Sequence, residues 1–112
     1  MQVQVHTDKH IPGSESLSQH VEGVVEKTLG RFSQWLTRVE VHLSDHNAQK
    51  AGNSDKRCLI EARAAGRQPV VVSHEAETVA KALDGAADKM QRLLDSEHGR
   101  LNERAGRTPT SG

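Results

Sequence analysis

The chain is poor in aromatic residues, in cysteine and in long apolar runs. Phe32 and Trp35 are its two large aromatics, so we expect a core built from valine, leucine, isoleucine and alanine. The single cysteine, Cys58, excludes an intrachain disulfide and fits a reducing compartment. No stretch approaches the roughly 18 apolar residues of a membrane span, and MQVQVHTDKH lacks the apolar run of a signal peptide. These absences predict a soluble, cytoplasmic protein.

Excess charge of one sign is also missing, because 15 basic and 15 acidic residues give a formal net charge of +0. This balance argues against indiscriminate binding to a polyanion. It leaves nucleic acid open as a partner, since charges can segregate between faces. A chain of 112 residues predicts one domain with a modest core. We expect that domain over residues 1–104 and a disordered tail over residues 105–112, AGRTPTSG.

The N-terminal third predicts a strand followed by a helix. Residues 2–6 alternate strictly between polar and apolar types, which is typical of a half-buried strand. Ser14 is a suitable N-cap for the helix, and Ser16 is the competing choice because Gln19 follows it by three positions. Apolar residues at helical spacing extend this helix over residues 14–33.

Three further strands and a long helix follow. Alternation predicts strands over residues 38–45, 57–64 and 70–73, with a hairpin connection at residues 65–68. The last helix is predicted to begin between Glu75 and Glu77 and to end or kink at Gly99. Its predicted apolar stripe comprises Ala76, Val79, Ala80, Leu83, Ala87, Met90 and Leu94.

This order, β-α-β-β-β-α, predicts an α+β fold. The first two strands are joined by a helix, so they should be parallel if adjacent, and the remaining strands should form an antiparallel meander. Both helices should cover one face of a four-stranded sheet, because the outward strand positions are polar.

The sequence offers little catalytic chemistry. Five histidines and the cysteine raise a metal hypothesis, but no pair has Cys-x2-Cys spacing or His-x3-His spacing within a predicted helix. Cys58 should point inward and His42 outward, so we expect exposed histidines rather than a metal site. Neither a nucleophile elbow nor a phosphate-binding glycine loop occurs. We therefore expect no catalytic residue, cofactor or metal. The candidate metal ligands are His6, His10, His42, His46, His74 and Cys58.

Three segments resemble the ribosome hibernation promoting factor and ribosome-associated inhibitor family, whose members are also called sigma-54 modulation proteins. The segments are IPGSESLSQHVEGVVEKTLGRFSQW, DKRCLIEAR and GRQPVVVSHEAETVAKALDGAADKMQRLL. The resemblance covers residues 2 to about 101 and lies in the order and spacing of the segments rather than in one motif. It implies a β-α-β-β-β-α fold similar to double-stranded RNA-binding domains.

The resemblance implies a non-enzymatic protein that binds the small ribosomal subunit and its rRNA. Such proteins occupy the channel used by messenger and transfer RNA and silence translation in stationary phase or stress. The resemblance places rRNA contacts at Lys89 and Arg92, and more broadly at Lys56, Arg57, Lys81 and Arg100. Their role would be phosphate pairing, in which arginine can be bidentate. No membrane or small-molecule partner is implied.

Longer family members carry a second, dimerising domain, so the chain resembles the short forms. Any pairing of ribosomes would then need a separate factor. One alternative is a diverged regulatory module that binds a protein, which the neutral charge and the acidic residues of the last helix favour. A weaker alternative is a metal-dependent enzyme built on the histidine-rich face.

Overall fold

A computed structural model describes residues 1–46 and 55–106 of the chain, with side chains described up to residue 97. The predicted β-α-β-β-β-α order is confirmed. A short 3-10 turn at Gly30–Phe32 follows the first helix. The elements are β1 (Gln2–Thr7), α1 (Glu15–Leu29), β2 (Leu36–Asp45), β3 (Lys56–Ala64), β4 (Val70–Ala76) and α2 (Val79–Gly106).

The four strands form one mixed sheet in the order β1-β2-β3-β4. β1 and β2 are parallel, with Val3 opposite Val39, and the other two pairs are antiparallel. Parallel neighbours need a crossover connection, and α1 provides it. The hairpin between β3 and β4 turns at Gly66, whose φ of 73° lies in the left-handed region that glycine adopts readily.

The core lies between one face of the sheet and the two helices. Strand residues on this face are buried because side chains alternate between faces, as the sequence predicts. Both helices direct their apolar sides onto the same face, and the other face carries mostly polar residues, with Val71 as an exposed apolar residue. The largest fully buried side chains include Val39, Val41, Leu43 and Ile60 from the sheet, and Val21, Val25, Leu83, Met90 and Leu94 from the helices.

The start of α1 follows the sequence prediction. Ser14 has an extended backbone, and its hydroxyl accepts a hydrogen bond from the Leu17 amide at 3.0 Å. This bond satisfies one of the amides that a helix start leaves without a partner. Ser14 is therefore the N-cap, and Ser16 lies inside the helix.

The start of α2 was predicted wrongly. β4 continues to Ala76, and Glu75 lies opposite Arg57 in the ladder, so their main chains belong to the sheet. The helix begins instead at Val79, after Thr78. The Thr78 hydroxyl accepts a hydrogen bond from the Lys81 amide at 3.1 Å, as an N-cap does.

The apolar stripe of α2 also needs correction. Ala76 lies in β4 instead of α2, and Ala80 is exposed in the first turn of the helix. Ala82 and Ala86 are fully buried in their place. The small alanine side chains let the helix lie close to the sheet.

Gly99 does not end α2, which continues to Gly106. A glycine inside a helix costs only about 1 kcal/mol relative to alanine and keeps its amide hydrogen bond, so it need not stop the helix. The predicted domain boundary at residue 104 therefore falls within α2, and residues 107–112 of the predicted tail lie outside the described residues. In the described part of the chain, no helix is both long and apolar enough to cross a membrane.

Candidate nucleic-acid interface

Three of the predicted rRNA contacts, Lys81, Lys89 and Arg92, are exposed residues of α2. Lys81 and Arg92 lie about three helical turns apart, so they share one side of the helix. Leu83 and Met90 point away from them into the core. α2 thus has one apolar side that fixes the fold and one charged side that faces solvent.

Lys89 lies on the flank of α2 beside β4. Its Nζ donates a hydrogen bond to the Ser73 carbonyl oxygen at 2.9 Å. An ammonium group has three donors, so two remain for another acceptor. Within residues 1–46 and 55–97, Lys89 forms no ion pair. Its charge is therefore held in place by the sheet while staying open to an incoming phosphate.

Lys81 and Arg92 each pair with an acidic residue four positions earlier. Lys81 Nζ lies 3.3 Å from Glu77 Oε1, and an Arg92 guanidinium nitrogen lies 3.1 Å from Asp88 Oδ2. The Arg92 side chain is 79% exposed. Exposed pairs of this kind contribute only about 0.3–0.5 kcal/mol. A phosphate could therefore replace either carboxylate at small cost.

Lys56 occupies a different setting at the start of β3. Its Nζ lies 3.1 Å from Asp55 Oδ1 and 3.4 Å from Asp45 Oδ2. The hydrogen bond that Lys56 donates to Asp55, followed by the charge of Asp45, raises the pKa of Lys56 above its ordinary value. Lys56 thus joins the start of β3 to the end of β2.

Arg57 and Arg100 belong to β3 and α2, respectively. Arg57 alternates with the buried Cys58, so it points to the polar face of the sheet, away from the helices. Arg100 belongs to α2, and its side chain lies outside the described set. The structure therefore places Lys81, Lys89 and Arg92 on one helix, and Lys56 and Arg57 at the start of β3.

Cys58 has no features of a nucleophile. It is fully buried, and desolvation raises the pKa of its thiol to about 12, so it stays protonated near neutral pH. A cleft lined by Trp35, Pro69 and Leu94 lies at one end of the sheet. Its charged residues, Arg67 and Glu97, pair with each other at 3.6 Å. These arrangements suit a packed domain better than an active site.

The histidine-rich polar face of the sheet contains a cluster of three side chains. His6 and His42 are register partners on β1 and β2, and their rings stack at 4.6 Å with an angle of 14°. Glu40 Oε1 lies 3.4 Å from His6 Nε2 and 3.6 Å from His42 Nε2. Spacing along one segment could not reveal this cluster, because its members come from two strands. The parallel pairing expected of the two alternating segments was the signal that could have revealed it.

These observations define a small α+β domain with cations along the exposed side of its last helix. A family model described as sigma 54 modulation protein / S30EA ribosomal protein matches residues 4–102. The chain therefore belongs to this family of non-enzymatic, ribosome-associated factors. The match runs from β1 into the last turns of α2 and so includes every element of the fold.

Two solved structures have the same fold. The crystal structure of the N-terminal domain of Protein Y from Thermus thermophilus superposes with a TM-score of 0.67 at 21% identity, covering 84% of this chain and 96% of that one. A ribosomal subunit interface protein from Coxiella burnetii gives 0.73 at 12% identity, covering 88% and 99%. No curated protein sequence matches the chain significantly.

Proposed function

We propose that the chain is a translation inhibitor of the hibernation type. It binds the small ribosomal subunit through rRNA and blocks the channel for messenger and transfer RNA in stationary phase or stress. The observation that carries this proposal is the family match over residues 4–102, which spans the whole β-α-β-β-β-α unit. The name of the Coxiella relative, a ribosomal subunit interface protein, points the same way.

The exposed side of α2 supplies the proposed contact with rRNA. Lys89 is held by β4 with two donors available, and Arg92 extends far into solvent. Arginine can pair with phosphate in a bidentate manner, and lysine acts as a point charge. Contacts to phosphate position a protein without reading base sequence. Such contacts are sufficient for a protein that acts by filling a channel.

The remaining predicted cations have secondary roles in this proposal. Lys81 lies near the start of α2 on the side that faces away from the core, and it adds a weaker phosphate contact there. Lys56 and Arg57 mark the end of the sheet, where Lys56 is already neutralised by two carboxylates. Arg100 lies toward the C-terminal end of α2 and is a further proposed contact.

Blocking by occupancy needs no catalytic group, so the proposed protein is not an enzyme. It acts in the cytoplasm, where its ribosomal partner resides. It needs no cofactor to block the channel, and any pairing of ribosomes would be the task of a separate factor.

Co-sedimentation with purified small subunits tests this function. The chain should appear in the subunit fraction at about 50 mM salt and, more weakly, at about 200 mM, because phosphate contacts weaken as salt rises. A second arm adds a messenger RNA and an initiator transfer RNA, which should reduce the bound fraction. Folded protein that stays out of the subunit fraction at both salt concentrations would contradict the proposal.

A protein partner is the second candidate function. The ion pairs of Lys56, Lys81 and Arg92 favour it, because a carboxylate neutralises the charge of each of these three predicted rRNA-binding residues. Affinity capture with and without ribonuclease separates the two functions. Capture of one defined protein that survives ribonuclease, together with no subunit binding, would favour this second function.

A further inference from the structure

The polar face of the sheet brings together three side chains that can ligate a metal. His6, Glu40 and His42 each offer one ligand atom, and these atoms all lie within 4.8 Å of one another. His6 and His42 are 46% and 43% exposed, so an ion can reach them from solvent. Two imidazoles and one carboxylate form a common ligand set for Zn²⁺.

The distances around Glu40 are close to those of a tetrahedral zinc site. Zinc bonds to nitrogen and oxygen are about 2.0–2.2 Å long, which places neighbouring ligand atoms about 3.3–3.5 Å apart. Glu40 Oε1 lies 3.4 Å from His6 Nε2 and 3.6 Å from His42 Nε2. The stacked imidazole rings would have to turn so that both Nε2 lone pairs meet at one ion, and water could take the fourth position.

The backbone and a neighbouring arginine hold these ligands in place. His6 and His42 are paired across β1 and β2, and Glu40 lies two residues before His42 on the same face. An Arg38 guanidinium nitrogen lies 3.0 Å from Glu40 Oε2, which leaves Oε1 directed at the two imidazoles. In metalloproteins, ion-pair or hydrogen-bond partners of this kind orient the side chains that ligate the metal.

We propose that His6, Glu40 and His42 form a binding site for Zn²⁺ that joins β1 to β2. This site is separate from the proposed rRNA contacts on α2, because it lies on the face of the sheet that the helices do not cover. Cys58 cannot take part, since it is fully buried on the opposite face. The ligands would therefore be nitrogen and oxygen alone.

Zinc titration of the tag-free full chain tests the site, with a chromophoric chelator as competitor. Wild-type protein should bind one Zn²⁺ with an affinity that His6→Gln, Glu40→Gln and His42→Gln each reduce by about tenfold or more. Co²⁺ in place of Zn²⁺ should give the visible absorption of a four-coordinate site without a thiolate charge-transfer band. Zinc should also raise the melting temperature of the wild type, because it binds the folded state.

His20→Gln is the matched control, since His20 is an exposed histidine of α1 outside the cluster. It should keep the wild-type zinc affinity and the wild-type rise in melting temperature. Circular dichroism without metal identifies any variant that fails to fold. Glu40→Gln keeps the size and shape of the side chain, so weaker zinc binding by this variant reports the loss of the carboxylate. The proposal is overturned if the wild type binds zinc no better than folded His42→Gln or Glu40→Gln, or if His20→Gln weakens binding equally.

Discussion

Gly85 of α2 lies directly against the imidazole of His74 in β4. A methyl carbon at Gly85 would lie 2.1 Å from His74 Cδ2 and 2.5 Å from Cγ, far inside normal contact distance. The missing side chain therefore sets how closely α2 approaches β4. One helical turn later, the same close approach lets Lys89 reach the Ser73 carbonyl oxygen.

Gly85→Ala should destabilise the protein, although alanine is the better helix former. The gain in helix propensity is about 1 kcal/mol. Overpacking typically costs about 1–3 kcal/mol, and here it must displace an aromatic ring held between helix and sheet. Urea unfolding should therefore show a lower free energy of unfolding than the wild type.

Gly23→Ala is the control, because Gly23 is exposed on α1 and a methyl group there meets nothing within 4 Å. It should raise the free energy of unfolding by about 0.5–1 kcal/mol. Equal stabilisation by Gly85→Ala and Gly23→Ala would show that α2 does not need the close approach to His74.

Ser14→Ala should remove the N-cap of α1. The Leu17 amide loses its hydrogen bond to the Ser14 hydroxyl, and such a loss costs about 1 kcal/mol. Ser16→Ala is the matched control, since Ser16 lies inside the helix and is exposed. Chemical unfolding should separate the two variants, and an equal loss from both would contradict the assignment of Ser14 as the cap.

The Asp8 carboxylate should make stability depend on pH in the acid range. It accepts backbone hydrogen bonds from Asp45 at 3.0 Å, His10 at 3.0 Å and Ile11 at 3.1 Å. The bond from Asp45, followed by those from His10 and Ile11, lowers the pKa of Asp8 below its ordinary value of 3.8. The charged form therefore stabilises the fold above pH 3.8, and this contribution is lost as the pH falls through the lower, folded-state pKa.

Asp8→Asn should abolish this part of the pH dependence. The free energies of unfolding of the wild type and Asp8→Asn should differ most near neutral pH and converge as the pH falls below 3.8. Asp84→Asn is the control, because Asp84 is an exposed residue of α2. A gap between wild type and Asp8→Asn that stays constant down to strongly acidic pH would contradict the role given to Asp8.

Much of the fold could be predicted from local patterns, and the errors have physical causes. Alternation correctly placed Val39, Val41 and Leu43 on the buried face, because a strand with one buried face has period two. The start of α2 was missed because residues 75–76 suit a helix locally and are held in β4 by pairing with β3. Tertiary contact overrides a weak local preference.

The candidate sites were less predictable, because they depend on which residues meet across elements. The sequence could name Lys89 as a basic residue of α2, but its bond to Ser73 requires the packing of α2 on β4. Likewise, His6 and His42 are far apart in sequence and meet only through the parallel register of β1 and β2. Spacing motifs find ligands within one segment and cannot find such pairs.

Charge reversal on α2 should weaken binding to small subunits. Lys89→Glu and Arg92→Glu each remove a phosphate contact and place a carboxylate against the polyanion, so each should reduce the bound fraction and the steepness of its salt dependence. Lys27→Glu, the same charge change at an exposed position of α1, should have a smaller effect. Co-sedimentation measures all three, and unchanged binding by Lys89→Glu and Arg92→Glu would reject this face as the contact.

Cryo-electron microscopy of the chain bound to purified small subunits tests the central claim most directly. The account predicts density for the β-α-β-β-β-α unit within the channel for messenger and transfer RNA, with the Lys89 side of α2 against rRNA phosphates. Density on the outer surface of the subunit, or an empty channel in subunits shown to carry the chain, would contradict it.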